Sequence, residues 1–369
     1  MITPSVEVIS SGPTYSMINL SSYLSNSSLI KFNLITFNFF NTKNEQGDLY
    51  PFELRFNLLG PKRFGFSLKF IFFLIKEIKA NDNLIIYNNS QYYLHSISIF
   101  ILRMIMKFNL LYSPRGSLDK VSLEKTGRVF LKKIFIKPYL ALLNLSDYII
   151  CTSKLEKYSI KRLLPKKDIF LLPNSTNPPV LKEITKKNKI IYLGRIVPQK
   201  GVHDLIDAWK KNISFNKNWE LCIYGNSNDD IYFNQLINSS RKMKNIKFHG
   251  EVHTEKKWEV ISKAKYLVLP SYSENFGNVV IEAMACGTIP ITTDDIPWEE
   301  LNEYKVGFSC DRENLGKVLT QAINMPEEDF INLSEKTRQY AFNHYHSGSV
   351  TDKFINFLLT LKKNDDKNI

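Results

Sequence analysis

Two loops hold the residues best suited to chemistry. The first, Gly194-Arg195-Ile196-Val197-Pro198-Gln199-Lys200-Gly201, follows the apolar run Ile190–Leu193 and precedes a helical pattern near Val202–Lys211. Glycines at the end of a strand permit a tight turn, and Arg195 and Lys200 set a forked and a point cation together, a pairing suited to a diphosphate. Read plainly, these are turn glycines and solvated cations, which are common on such loops. The second loop, Pro270 to Gly277, follows the run Tyr266–Leu269, and Asn278–Ala285 then reads as an apolar helix capped by Asn278 and ended by Gly287. The start of that helix offers backbone N–H groups and a positive dipole end to an anion. Glu282 falls one turn inside it and Glu274 on the loop ahead. A carboxylate does not favour phosphate, so the hydroxyl groups of a ribose or hexose are the natural partners. Two surface acids are the plainer alternative, but that leaves a single acid in an otherwise apolar helix unexplained.

Positioning these loops requires strands that end at them. Short β-branched and aromatic runs alternate with helical patterns along the chain: Val6–Ser10, Asn33–Phe37, Leu84–Tyr87, Leu110–Ser113, Tyr148–Thr152, Ile169–Leu172, Ile190–Leu193, Glu220–Tyr224, Lys247–His249, Tyr266–Leu269, Ile289–Thr292 and Gly307–Cys310. That alternation predicts an α/β protein with parallel sheets. It fails around Pro173–Lys189, where prolines, asparagines and a lysine cluster predict a boundary. The expected organisation is a domain over 1–173, a linker over 174–189, a second domain over 190–345 and a returning helix over 346–369. With 369 residues there is room for two cores. Two doubly wound domains would face each other across a cleft at the carboxyl ends of their strands.

Charge divides at the same boundary. The net charge is +13; residues 1–173 hold 23 basic and 11 acidic side chains, and residues 174–369 hold 26 and 25. A cationic half beside a neutral one needs an anionic partner or surface. Composition near the globular average argues against wholesale disorder, and 369 residues exclude a disulfide-stapled mini-protein. Cys151, Cys222, Cys286 and Cys310 form no C-x-x-C pair and are expected to be buried free thiols in a reducing compartment. The first twenty residues lack a basic residue and a long apolar core, and the greasiest stretches, Phe70–Ile75 and Ile97–Met106, are shorter than a bilayer span. A cytoplasmic location is expected.

Further motifs join the two loops: Ser113-Pro114-Arg115-Gly116-Ser117-Leu118, Thr152-Ser153 with Glu156, Pro173-Asn174-Ser175, and Pro297-Trp298-Glu299-Glu300-Leu301. Together with Glu274 and Glu282, which have seven residues between them, and Gly194-Arg195 through Lys200-Gly201, they resemble the retaining glycosyltransferases of family 4, in particular a bacterial surface-polysaccharide branch. The resemblance implies a GT-B architecture of two Rossmann-like domains, with the acceptor on the first and the nucleotide-sugar donor on the second. It further implies that Arg195 and Lys200 stabilise the departing diphosphate, Glu282 holds the ribose, and Glu274 meets the transferred sugar near its anomeric carbon. Gly194, Asn275, Phe276, Gly277, Asn278 and Val279 would complete the donor site. No metal and no cofactor is implied, and Asp229-Asp230 and Asp294-Asp295 lack the D-x-D spacing of metal-dependent sugar transferases. Gly12 stands where the family has a two-glycine acceptor loop, and Pro-Asn-Ser replaces Pro-Asn-Gly. Arg115 either touches a donor or acceptor phosphate or closes a turn. His95 reads as a packed histidine, and the family's front-face or ion-pair mechanism needs no dedicated base.

Two stretches of the cationic half, Arg63–Phe70 and Arg128–Lys137, mix cations with aromatic and aliphatic residues. Either they are core helices with lysine-rich outer faces or they lie on an anionic leaflet. The combined expectation is a retaining hexosyltransferase at the inner-membrane surface. It would extend a lipid-linked glycan for lipopolysaccharide O-antigen, capsule or exopolysaccharide, without nucleic acid as a partner. The competing readings are a sugar-nucleotide epimerase, or a non-catalytic or nucleic-acid-binding protein on the same scaffold.

Overall fold

The short β-branched and aromatic runs form parallel strands throughout the computed structural model, which describes residues 1–4, 12–39, 50–90, 93–119, 123, 129–179, 185–212 and 218–365. Met1–Asn174 with Val350–Ile369 make one unit, and Ser175–Ser349 the other. The first contains α1 (Gly12–Ser25), β1 (Leu34–Phe37), β2 (Glu53–Phe56), α2 (Leu68–Ala80), β3 (Ile85–Asn88), α3 (Leu94–Ile105), β4 (Asn109–Tyr112), α4 (Val129–Leu143), β5 (Tyr148–Cys151), α5 (Lys154–Leu163) and β6 (Ile169–Leu171). Strands β3 to β6 pair in sequence order, and β1 pairs with β2. Ile2 links the two groups by bridging Ile35 and Asn88. The expected strand Val6–Ser10 lies outside the described residues.

Alternation along these strands separates two apolar layers. Ile86, Leu110 and Ile149 pack with Phe70, Leu74, Ile99 and Phe100 of α2 and α3. Their neighbours Tyr87, Leu111 and Ile150 pack instead with Met17, Leu20 and Leu24 of α1 and with Val350, Phe354 and Ile355. Strands covered on both faces read as continuous apolar runs, which is why they were legible. Strand β2 was not expected: Glu53 and Arg55 interrupt its apolar residues. They are accommodated because Glu53 accepts from Thr36 Oγ1 and pairs with Arg55 at 3.0 Å.

The second unit contains β7 (Lys187–Leu193), α6 (Val202–Asn212), β8 (Glu220–Tyr224), α7 (Asp230–Ser240), β9 (Ile246–His249), α8 (Thr254–Lys263), β10 (Ala264–Leu269), α9 (Asn278–Ala285), β11 (Ile289–Thr293), α10 (Glu300–Glu303), β12 (Phe308–Cys310), α11 (Leu315–Ile323) and α12 (Glu327–Tyr345). Helix α13 (Ser347–Asp365) begins there and continues in the first unit. Lys187-Asn188-Lys189, expected as linker, already belong to β7. The six strands pair in parallel in the order β12-β11-β10-β7-β8-β9. This is the doubly wound order, and its switch point lies between β7 and β10.

The four cysteines are free; Cys151 and Cys222 are buried, whereas Cys286 and Cys310 are half-buried rather than buried as expected. Among the described residues no helix is long and apolar enough to cross a membrane.

Candidate functional site

The switch point places the two chemically interesting loops side by side, because one follows β7 and the other follows β10. Their close approach explains the glycines. A Cβ on Gly201, which has φ 66°, would stand 2.1 Å from the Pro270 carbonyl oxygen. On Gly225, at the end of β8, a Cβ would stand 1.9 Å from the Gly194 carbonyl oxygen. Three strand ends therefore meet with backbone against backbone. The Tyr272 amide donates to Gln199 O at 2.9 Å, and the Ile196 amide to Asn226 O at 2.9 Å.

Lys200 and Glu274, 74 residues apart, form an ion pair, and Ser271 Oγ donates to Glu274 Oε1 at 2.9 Å. Both charged side chains are largely withdrawn from solvent, so each keeps the other from standing uncompensated. Arg195 is exposed, and its carbonyl accepts from Tyr192 Oη at 2.6 Å. The turn thus presents one cation to solvent and holds the other against a carboxylate.

Gly277, not Asn278, caps α9. It has φ 80° and ψ 64°, and Asn278 is the first helical residue. The left-handed turn needed here suits glycine, whereas an asparagine cap would require extended backbone. Gly287, with φ 64°, lies just beyond the other end of α9 and terminates it as expected. Asn275, Gly277, Asn278 and Val279 are half-buried around the helix start, where the first N–H groups have no intrahelical acceptor. Phe276, expected among the donor-site residues, turns its side chain into the core. It is buried against Trp298 and Tyr345, with centroids at 5.3 and 6.0 Å, and its carbonyl accepts from Trp298 Nε1 at 2.6 Å. Its ring belongs to the core, and only its backbone serves the loop.

Glu282 is 3% exposed, which excludes the surface-acid reading for this residue. Burial pushes its carboxyl above the usual range, opposed by Lys257 of α8, whose Nζ lies 2.6 Å from Oε1. Lys257 was not anticipated: nothing in the spacing of α8 announces a partner 25 residues later. Among the described residues no group of three His, Cys, Asp or Glu could hold a metal. The paired acids have local duties instead: Asp229 caps α7 by accepting from Tyr232 N at 2.9 Å, and Asp295 pairs with Arg312.

In the first unit Arg115 closes a turn. Its φ is 46°, its Nε and Nη2 donate to Asn89 Oδ1 at 3.1 Å, and Nη1 donates to Asn174 Oδ1 at 2.6 Å. The Thr-Ser-x-x-Glu motif has a structural role beside it. Ser153 caps α5, and the buried Glu156 carboxylate accepts from Gly116 N at 2.6 Å and Thr152 N at 2.7 Å. Gly12 opens α1, while the residues before it lie outside the described ones. His95 is a packed histidine: it stacks on Phe37 at 4.0 Å, its Nδ1 meets Gly65 O at 2.9 Å, and burial lowers its pKa to about 4.

Residues 173–344 match the family described as glycosyl transferases group 1. An uncharacterized glycosyltransferase of Methanocaldococcus jannaschii, MJ1178, is 34% identical over 152 residues, 40% of either chain, so the match spans about two fifths of that relative's length. Among solved structures, Anabaena Alr3699/HepE in complex with UDP and glucose aligns with a TM-score of 0.71 at 15% identity, over 97% of this chain and 98% of that one. WaaG, a glycosyltransferase involved in lipopolysaccharide biosynthesis, aligns with a TM-score of 0.64 at 16% identity, over 94% and 96%. The chain thus has the GT-B fold, and its residues 173–344 match the glycosyl transferases group 1 family.

Proposed function

We propose that the protein is a retaining hexosyltransferase of family 4. It would take a nucleoside-diphosphate sugar on the Ser175–Ser349 unit and transfer the sugar to a lipid-linked glycan held by the first unit. The observation that carries this is the Lys200–Glu274 pair beside the start of α9, with the buried Glu282 behind it. A donor diphosphate draws Lys200 away from Glu274 and adds Arg195 and the helix N-terminus as partners. Glu274 is then released toward the sugar, and Glu282 accepts from the ribose hydroxyl groups. In the transfer step the bond from the anomeric carbon to the diphosphate oxygen breaks. The acceptor hydroxyl oxygen forms the new bond on the same face, and its proton passes to the departing phosphate oxygen. Fixed cations and a helix dipole stabilise the leaving group, so the reading requires no metal and no cofactor.

The finer assignment is a bacterial surface glycan, such as O-antigen, capsule or exopolysaccharide, built on a polyprenyl diphosphate at the cytoplasmic face of the inner membrane. The lipopolysaccharide role in WaaG's description favours it, as does the cationic first unit. The outward side of α3 adds to it: Ile101, Met104 and Ile105 are 53%, 68% and 73% exposed, and Phe72 of α2 and Phe135 of α4 are exposed on the same helix-covered side of the sheet.

The test is thermal stabilisation by UDP, GDP, ADP and their sugars, with EDTA present. One nucleotide standing out identifies the donor base and supports metal-free binding. If none stabilises the protein and the Arg195→Ala/Lys200→Ala variant behaves identically, the transferase reading falls and a non-catalytic scaffold replaces it.

A further inference from the structure

We propose that Arg312 is a positioning residue. It clasps the loop after β10 to the turn after β7 and so fixes where Glu274 stands; its consequence for donor binding rests on the reading above. Arg312 lies just beyond β12, outside every motif of the sequence. Its Nη1 donates to Pro270 O at 2.8 Å and to Asp204 Oδ2 at 2.8 Å. Its Nη2 donates to Ser271 O at 3.4 Å and pairs with Asp295. The guanidinium carbon lies 3.6 Å from the centre of the Tyr272 ring. One planar group therefore holds two consecutive carbonyls and the following ring, while a carboxylate from α6 and another from the end of β11 balance its charge.

These contacts join the two donor loops. Asp204 lies in the first turn of α6, three residues after Gly201, and a Cβ on Gly201 would come within 3.1 Å of Arg312 Nη1. The Thr293 hydroxyl adds a hydrogen bond to Ser271 O at 2.9 Å. At the far end of the loop Trp298 holds Phe276 O. Glu274 lies between the two grips, which leaves its carboxylate little choice but Lys200 and Ser271. A lysine at 312 would keep the charge near Asp204, but a single ammonium cannot reproduce the planar fork or the stacking.

Amide hydrogen exchange over residues 270–277 of the full chain without ligand, together with affinity for UDP, GDP and ADP, tests the clasp. Arg312→Ala is expected to accelerate exchange in that loop and to weaken the best nucleotide by about tenfold. Arg312→Lys should fall between the wild type and Arg312→Ala. In a Lys200→Ala background the further loss should largely disappear, since both residues act on one loop arrangement. A lower melting temperature with unchanged loop exchange and unchanged affinity would make Arg312 a merely structural ion pair and overturn the proposal. So would a full additional loss in the Lys200→Ala background. If Arg312→Ala does not fold, normal loop exchange in Arg312→Lys overturns the proposal. If the wild type binds none of the nucleotides, the donor reading fails, while loop exchange still decides the clasp.

Discussion

Glu282 and Lys257 form the residue pair whose chemistry is most exposed to test. A carboxyl raised by burial is charged only above its elevated pKa, and Lys257 opposes that elevation. Lys257→Met should therefore move the acid limb of nucleotide binding to higher pH, and Glu282→Gln should weaken binding above that limb while leaving the fold intact. A binding profile that Lys257→Met leaves unmoved would separate the lysine from the site. Asp119 makes a second pH-dependent contribution. Burial, with the Glu156 carboxylate adding to it, pushes its carboxyl up to about 7. With the folded value above the unfolded one, its stabilisation is complete below about pH 4 and is lost as pH rises through about 7. Asp119→Asn should flatten that decline and raise stability at about pH 8 by on the order of 2 kcal/mol, as read by denaturant midpoints. Neither Lys257 nor Arg312 was legible in the sequence. Each meets its partners only after distant segments pack, Arg312 reaching Asp204 over 108 residues. The two motif loops were legible because a glycine turn and a neighbouring cation are local facts.

At the scale of elements, α3 is apolar on two sides. His95, Ile99, Phe100 and Leu102 are buried, while Ile97, Ile101, Met104 and Ile105 recur on the outward side at helical spacing. A helix on a water-facing layer normally shows a polar outer stripe, so this one suits the interface of a bilayer better than open water. Ile101→Asp/Ile105→Asp should abolish sedimentation with phosphatidylglycerol-containing vesicles, which wild type should show and high salt should weaken. Ile231→Asp, exposed on α7 of the other unit, is the control and should leave binding unchanged. Because the substituted side chains are exposed, neither change should move stability by more than about 0.5 kcal/mol. Equal binding by the double variant would remove α3 from the membrane reading. Here the sequence was a partial guide. The same run read only as a stretch too short to span, and its two-sidedness emerged once the sheet showed which side was covered. Of the stretches named instead, Arg128 lies outside the described residues, and exposure on α4 is described at Ile134 and Phe135. The cap of α9 was misjudged for a related reason: the sequence offers both a glycine and an asparagine there, and only the chain's direction out of β10 selects the left-handed one.

For the whole molecule, the two units depend unequally on the end of the chain. Ser175–Ser349 is one continuous segment with its own apolar cluster, from Ile190 and Trp209 to Trp298 and Tyr345. The first unit is completed by residues after 349. Val350, Phe354, Ile355 and Leu361 cover Tyr87, Leu111 and Ile150 together with α1, and Phe357 stacks on Phe170 at 3.8 Å. Each buried apolar side chain contributes roughly 1.5–3 kcal/mol, so losing these four removes on the order of 6–12 kcal/mol. That is comparable to the roughly 5–15 kcal/mol by which a whole domain is stable. A chain ending at Ser349 should therefore retain a cooperative transition for the second unit, with nucleotide stabilisation equal to that of the full chain. It should lose the transition of the first unit and become open to proteolysis between residues 50 and 174. Calorimetry with and without the nucleotide separates the two, since the ligand shifts only the transition of the unit that binds it. Two intact transitions in the shortened chain would mean that α1 alone suffices to cover the sheet. A single transition lost in both units would mean that they fold as one.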